Sequence, residues 1–542
     1  MKNILRAFAT IFSDRYSSVI FFVLLLLTGW LYGYQEIAHY KPQSFHQFRQ
    51  SDCLSITLNY YHGDLPFHTP AIHNQFADEG NSGYSAGEFP LLYYGVAQLW
   101  KIFGYHLWMY RVINTLIMFA GLLCLFRLLG ALLKDTVWSM GIALLVLASP
   151  IIAFYTCNFL TNTTSFGLVM IAWYCFYLYT RSFRRRYLLL CAILFSFAGL
   201  LKVSSLITWV AWMLLFICHE LKLPGIRRYG LFRHRWLMVA GIFIVVLPLL
   251  GWYRYAQEYN GIHRGTYTYN DLFPIWKMSA ERIRQVTRDF FHLMIFQWYH
   301  RIALGVFGAM YLFCIISLPA TLRRLPLLFF LFFTVQIGCI LYMLCWFPFF
   351  GNHDYYMIEM MPMWIVLFAT FALSVKTLFP RGFRSLPVKI AFAVFVLLNI
   401  AFAKLNMDVR YNKFRLRVHH PHPLFSREEC GYWEYFYIYH QERGQYYLRM
   451  ETLLDNLGVG QNEKVLFLPD NSINIPFVLA GRKGNNAYAF SNYQGRDRIE
   501  HFRQKGATVL IITDPVLLGE PYMQEYLPKE IGSDGPVHVF GL

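Results

Sequence analysis

Arg49 and Asp52 stand three residues apart in the stretch "FHQFRQSDCLSITLNYYHGD", residues 45–64, of a 542-residue chain in which only 15% of the residues are charged. Helical spacing over 49–61 puts Arg49, Asp52, Ser55, Asn59 and His62 on one stripe and Leu54, Leu58 and Tyr61 on another, so the polar stripe faces something other than lipid. As a pair on a wetted surface, Arg49 and Asp52 would contribute only about 0.3 kcal/mol. Beside hydrocarbon the same charges are costly and have a partner or a task. A carboxylate within hydrogen-bond reach takes a proton from a hydroxyl or an amine. Guanidinium and ammonium groups give charge-assisted bonds to phosphate oxygens. Glu88 in "SAGEFP" supplies a second acid, which would equally suit a helix N-terminus. Lys202, Arg111 and the run His353, Asp354 and Tyr356 complete the polar groups at the ends of apolar runs. Each has a plainer use: snorkelling for Lys202, anchoring for Arg111, a hydrogen-bonded turn for the run at 353.

The elements that must hold these groups lie in a bilayer. Hydrophobic residues make up 56% of the chain, well above the share in soluble proteins. A span needs roughly 20 apolar residues, and the runs at 17–34, 107–133, 137–155, 160–180, 187–201, 203–219, 236–253, 302–320, 325–347, 355–376 and 388–405 predict about eleven crossings. The first follows Lys2, Arg6 and Arg15 without a small-residue cleavage site and reads as a signal anchor with its N-terminus cytoplasmic. With that count, the basic clusters at Arg127 and Lys134, at 181–186, at Arg227, Arg228, Arg233 and Arg235, at Arg323 and Arg324, and at 376–389 all fall on one side. The run 187–219 must then be a hairpin of two short helices with Lys202 at its outer turn. Residues 88–104 read as an interfacial helix along the outer leaflet, because a crossing there would invert every later loop.

Three outward parts follow: a first loop at 35–106, a second at 254–301, and a tail at 406–542, behind a membrane part at 1–405. In the tail, 447–457 reads as a helix stopped by Gly458, "KVLFLPD" and "TVLIITDP" as buried strands, and 496–504 as a polar helix, giving a small α/β domain. The fold class expected is an α-helical multi-pass membrane protein with a C-terminal α/β extracytoplasmic domain. The formal charge of +17 is explained by the basic clusters between spans, so nucleic acid is not expected as a partner. His68, His73, Asp78, Glu79, His263, His292 and His300 are the residues a divalent ion would use, but no pair has ligand spacing, and no metal or other cofactor is required by this reading.

A multi-spanning chain whose first outer loop reads "RQSD" and then "GEFPLLYYGVAQLWKIFG", followed by Arg111 at the start of the second span, resembles the polyprenyl-phosphate-sugar-dependent glycosyltransferases of the GT-C fold. The likeness is nearest to the branch with protein O-mannosyltransferases and the aminoarabinose transferase of lipid A. It covers about three quarters of the chain; Lys202 and "NHDYYMIEMMP" support it. The resemblance implies that Asp52 is the catalytic base of an inverting transfer and that Glu88 lies near the donor phosphate or a metal. It implies a polyprenyl-phosphate-linked sugar as donor, with membrane lipid around the site. Arg49, Lys202 and His353 are the groups expected at the donor phosphate, with Arg111 and Tyr356 beside them. One departure stands out: where this family often carries an acid between the third and fourth spans, the chain reads "CNFLTNTTSF", with Asn158 and Asn162. A lipid-linked-sugar transporter or flippase is the alternative, and a non-catalytic scaffold for envelope assembly a further one. Transporters carry mid-span charges and repeated halves, whereas here the polar groups lie at one surface and no repeat is evident.

Overall fold

The computed structural model describes residues 14–223, 226, 230–265, 272–488 and 492–542. Lys2, Arg6, Arg227 and Arg228, and 266–271 of the second loop, lie outside them. The chain forms two compact units: a helical one from Met1–Ala38, Arg111–Leu250 and Asp271–Asp408, and a sheet-bearing one from His39–Tyr110, Gly251–Asn270 and Val409–Leu542.

Every apolar run named above becomes helical, because a long apolar segment satisfies its backbone polar groups within itself only as a helix. Among the described residues, seven helices are long and apolar enough to cross a membrane: Leu107–Leu133, Val203–Glu220, Arg235–His263, Arg301–Thr321, Pro326–Cys345, Asp354–Leu378 and Leu386–Arg410. The number rises to eight if the pair Thr136–Leu147 and Pro150–Thr156, bent by 72°, is one span. The chain is thus a multi-pass membrane protein, with seven or eight spans by length and apolarity against the eleven expected. The remaining runs fall short for local reasons. Tyr16–Tyr32 is a shorter apolar helix, Arg185–Leu201 has 17 residues, and Asn162–Ser182 has 21 but opens on the polar, buried Asn162, Thr163, Thr164 and Ser165. The 72° bend has a sequence cause: Pro150 disfavours helical geometry at the residue before it, and Ser149 is extended at φ −73°, ψ 126°.

Two interruptions in the helical unit matter for chemistry. Lys202 is extended, at φ −159° and ψ 105°, between Arg185–Leu201 and the 3-10 turn Val203–Leu206 that leads into Ile207–Glu220. Asp354–Met360 is a 3-10 segment ahead of Met361–Leu378, whose first turn holds Pro362, where a missing N–H costs nothing.

The other unit is built on a five-stranded sheet. Its strands are β1 (Lys464–Leu468), β2 (Gly484–Asn485), β3 (Ala507–Ile512), β4 (Glu530–Asp534) and β5 (Val537–Gly541), in the order β2-β1-β3-β5-β4. β1 is parallel to β2 and β3, and β5 is antiparallel to β3 and β4. Alternate residues feed two cores. Val465, Phe467, Val509, Ile511 and Val539 pack with Met450, Leu454 and Phe477, while Leu466, Leu468, Leu510, Ile512 and Phe540 pack with Ile499, Phe502 and Met523. Both faces of the central strands are therefore covered, which is why they read as continuous apolar runs. The expected helices form as Gln445–Asn456 and Gly495–Gln504. Gly458, at φ 76°, closes the first of them in the left-handed conformation that glycine adopts without penalty.

The edge at β2 is not left open. Asn74 makes a parallel bridge to Gly484, with Gln75 N–H donating to the Gly484 carbonyl at 2.7 Å and Gly484 N–H to the His73 carbonyl at 3.2 Å. A segment about 410 residues earlier in the chain thus pairs with an edge that would otherwise present unpaired backbone groups.

Candidate active site

Gln47–His62 is helical, as its spacing predicts, and buried almost throughout from Gln50 to Tyr60. Its polar stripe is packed against protein rather than solvent, with His62 alone emerging. Asp52 retains 1% of its exposure. One carboxylate oxygen accepts from Asn474 Nδ2 at 2.8 Å, and the other lies 3.4 Å from Arg49 Nη1. Arg49 reaches Glu88 more closely, at 3.0 Å through Nη2, and Tyr93 O–H donates to the other Glu88 oxygen at 2.7 Å. Arg49 therefore stands between two carboxylates. Glu88 lies three residues ahead of the helix Leu91–Phe103 instead of opening it.

These contacts set opposing pulls on Asp52. Burial disfavours the charged form most strongly. Arg49 and the Asn474 hydrogen bond oppose it, Glu88 adds to it, and the pKa ends up at about 6 against an ordinary 3.8. A carboxyl poised there is ionised at neutral pH yet basic enough to accept a proton. Behind it, Ser55 Oγ lies 2.8 Å from His73 Nδ1, and Asn59 Nδ2 lies 3.1 Å from the same nitrogen. Burial holds His73 neutral, with its pKa pushed down to about 3.

In the helical unit, Lys202 is half-buried with its ammonium 5.2 Å from the centre of the Tyr356 ring and 5.9 Å from that of Tyr355. Both distances are within cation–π range. Tyr356 stacks on Phe349 at 5.1 Å, and His353 packs edge-on to Tyr356 at 6.1 Å, with its Nδ1 2.5 Å from Asn352 Oδ1. Next to them, Tyr155 O–H donates to the buried Asp354 at 2.6 Å, and Asn162 Nδ2 donates to the buried Glu359 at 2.7 Å. Asn162, one of the two asparagines of "CNFLTNTTSF", thus serves as donor to an acid. Arg111 is fully buried: it donates to the Cys157 carbonyl at 2.8 Å and lies 4.3 Å over the Phe159 ring.

The structure brings Asp52, Arg49 and Glu88 together in one unit, and Lys202, His353 and Tyr356 in the other. Arg111 is held in a separate contact. Among the described residues, no three His, Cys, Asp or Glu side chains gather as a metal site. Asp78 pairs with His263 at 3.1 Å, and Glu79 with Arg264. Asn474, Tyr93, Tyr155 and Glu359 were not singled out by the sequence. An Asn in a loop and a Tyr in an apolar run have no distinguishing spacing, and only "NHDYYMIEMMP" drew attention near Glu359.

No sequence-family model and no curated protein matches the chain. Solved structures do. ArnT from Cupriavidus metallidurans bound to undecaprenyl phosphate superposes with a TM-score of 0.56 at 12% identity, covering 98% of each chain, and the apo state of the same protein gives the same values. The apo oligosaccharyltransferase of Archaeoglobus fulgidus gives 0.49 at 10% identity, over 93% of this chain and 70% of that one. At such identity the ArnT likeness is one of fold. The chain has the GT-C architecture that its first loop suggested.

Proposed function

We propose that the chain is an inverting glycosyltransferase that moves a sugar from a polyprenyl-phosphate donor to an acceptor on the outer face of the cytoplasmic membrane. Residues 1–405 are the membrane part in this reading, with the first loop and 406–542 outside and the N-terminus within the cytoplasm. One observation carries it: on a fold shared with ArnT, which was solved with undecaprenyl phosphate bound, the first loop buries an acid whose pKa sits near 6.

Asp52 takes the proton of the acceptor hydroxyl or amine as that atom bonds to the anomeric carbon and the carbon–oxygen bond to the lipid phosphate breaks. Attack comes from the face opposite the departing phosphate, so the configuration inverts. Positive charge gathers on the sugar in the transition state and negative charge on the leaving phosphate, which preorganised donors must meet. Lys202 is the first such donor, its ammonium held over Tyr356; His353, Arg111 and Arg49 are assigned to the same charge. Glu88 holds Arg49 in place.

The test uses the purified protein in lipid nanodiscs with a pool of polyprenyl-phosphate sugars and a membrane extract as acceptor. Wild type should transfer label, and Asp52→Asn should lose at least about a hundredfold, the scale of general-base catalysis, while keeping its folded size-exclusion profile. Equal transfer by the two proteins would remove the assignment. In sealed proteoliposomes, movement of intact donor across the bilayer by both would favour a flippase.

A further inference from the structure

Asn474 lies in the sheet-bearing unit, in the loop between β1 and the short helix Ile475–Ala480, and is fully buried. Its side-chain orientation is forced. The backbone N–H of Asn74 points at Oδ1 from 3.2 Å, and Ser55 Oγ lies 3.2 Å from the same atom. A backbone N–H only donates, so that atom must be the oxygen. The amide NH2 therefore faces the Asp52 carboxylate, at 2.8 Å, and can only donate to it. A second amide braces the first: Asn74 Nδ2 donates to Asn486 Oδ1 at 3.0 Å, and Asn486 Nδ2 donates to the Ser472 carbonyl at 2.6 Å.

We propose that Asn474 is a positioning residue for Asp52: as an obligate donor locked by Asn74 and Ser55, it fixes the carboxylate's orientation and favours its ionised form. The inference rests on Asp52 being the base. It gives the C-terminal part of the chain a share in the chemistry. Among the described residues, the charged and titratable groups around Asp52 are Arg49 and Glu88, with Cys53, Tyr93 and Tyr110 next to them and His73 neutral behind Ser55. The tail's contribution among these contacts is the neutral amide of Asn474. It stabilises the anion without adding a charge that would itself titrate near neutrality.

The experiment measures transfer by the full chain in nanodiscs from pH 5 to 9 for wild type, Asn474→Ala, Asn474→Asp and Asp52→Asn. Loss of a hydrogen bond to an ionised group shifts ionisation roughly tenfold. In Asn474→Ala the acid limb of kcat should therefore move to higher pH by about one unit, with activity at pH 6 reduced about fivefold and almost fully regained at pH 8. KM for the donor should change little. Asn474→Asp is isosteric and keeps the fold should the alanine variant not; it sets two carboxylates against each other and should move the limb further in the same direction. An acid limb at the wild-type position in Asn474→Asp, with rates scaled equally at every pH, would overturn the inference. Full activity in Asp52→Asn would instead overturn the underlying reading, whatever Asn474 does.

Discussion

Asp52 shows how a single side chain is tuned by enclosure. Burial pushes its pKa up; the guanidinium of Arg49, only 3.4 Å away, and the Asn474 amide bring it back to about 6. Because the base works ionised, transfer should fall as pH drops through about 6 and level off above it, a limb that initial rates against pH would show. Arg49→Gln removes the strongest opposing pull, so its limb should lie at higher pH than wild type. The same shift has a stability consequence. A carboxyl whose folded pKa exceeds its unfolded value binds more protons folded than unfolded between the two. Its contribution to stability therefore declines as pH rises from 3.8 to about 6 and is constant above. Asp52→Asn, lacking that group, should lose this slope and have a Tm at pH 7.5 no lower than wild type, although it is inactive. A Tm well below wild type would show that the carboxylate stabilises the fold instead.

Elements meet where their backbones allow it. At Gly484 an added Cβ would lie 1.8 Å from the Val465 carbonyl oxygen, a backbone atom that cannot swing away. Glycine there lets β2 lie on β1 while its other edge pairs with 73–75. Gly484→Ala should cost about 1–3 kcal/mol and expose the first loop, seen as a lower Tm and faster proteolysis within 66–84. Lys202 makes the complementary point. An extended residue between two helices directs its side chain by backbone conformation, and the turn was legible because basic clusters flank 187–219 on both sides. The bend at Ser149–Pro150 was equally available from the proline rule, yet the apolar run around it hid the break.

At the scale of the molecule, apolar helices and basic clusters define a topology that labelling can check. A single cysteine at Asp497, on an otherwise cysteine-free background, should react with a membrane-impermeant maleimide added outside spheroplasts, whereas one at Arg185 should react only after lysis. The reverse pattern would invert the proposed orientation. The compact units of the chain are discontinuous, with His39–Tyr110 and Gly251–Asn270 joined to Val409–Leu542.

The sequence by itself determined where the helices and the two central strands lie, since hydrophobic period and length are properties of neighbouring residues. It also marked Asp52, Arg49 and Glu88 as charges out of place in so apolar a chain. It could not announce that Asn474 meets Asp52 across 422 residues, that His73 and Ser55 stand behind it, or that 73–75 completes a sheet edge. Those pairings depend on which surfaces the folded chain brings into contact, and an isolated Asn, Ser or Gly carries no local pattern that encodes its distant partner. Tertiary structure also set the pKa, because desolvation acts only once the surroundings have closed.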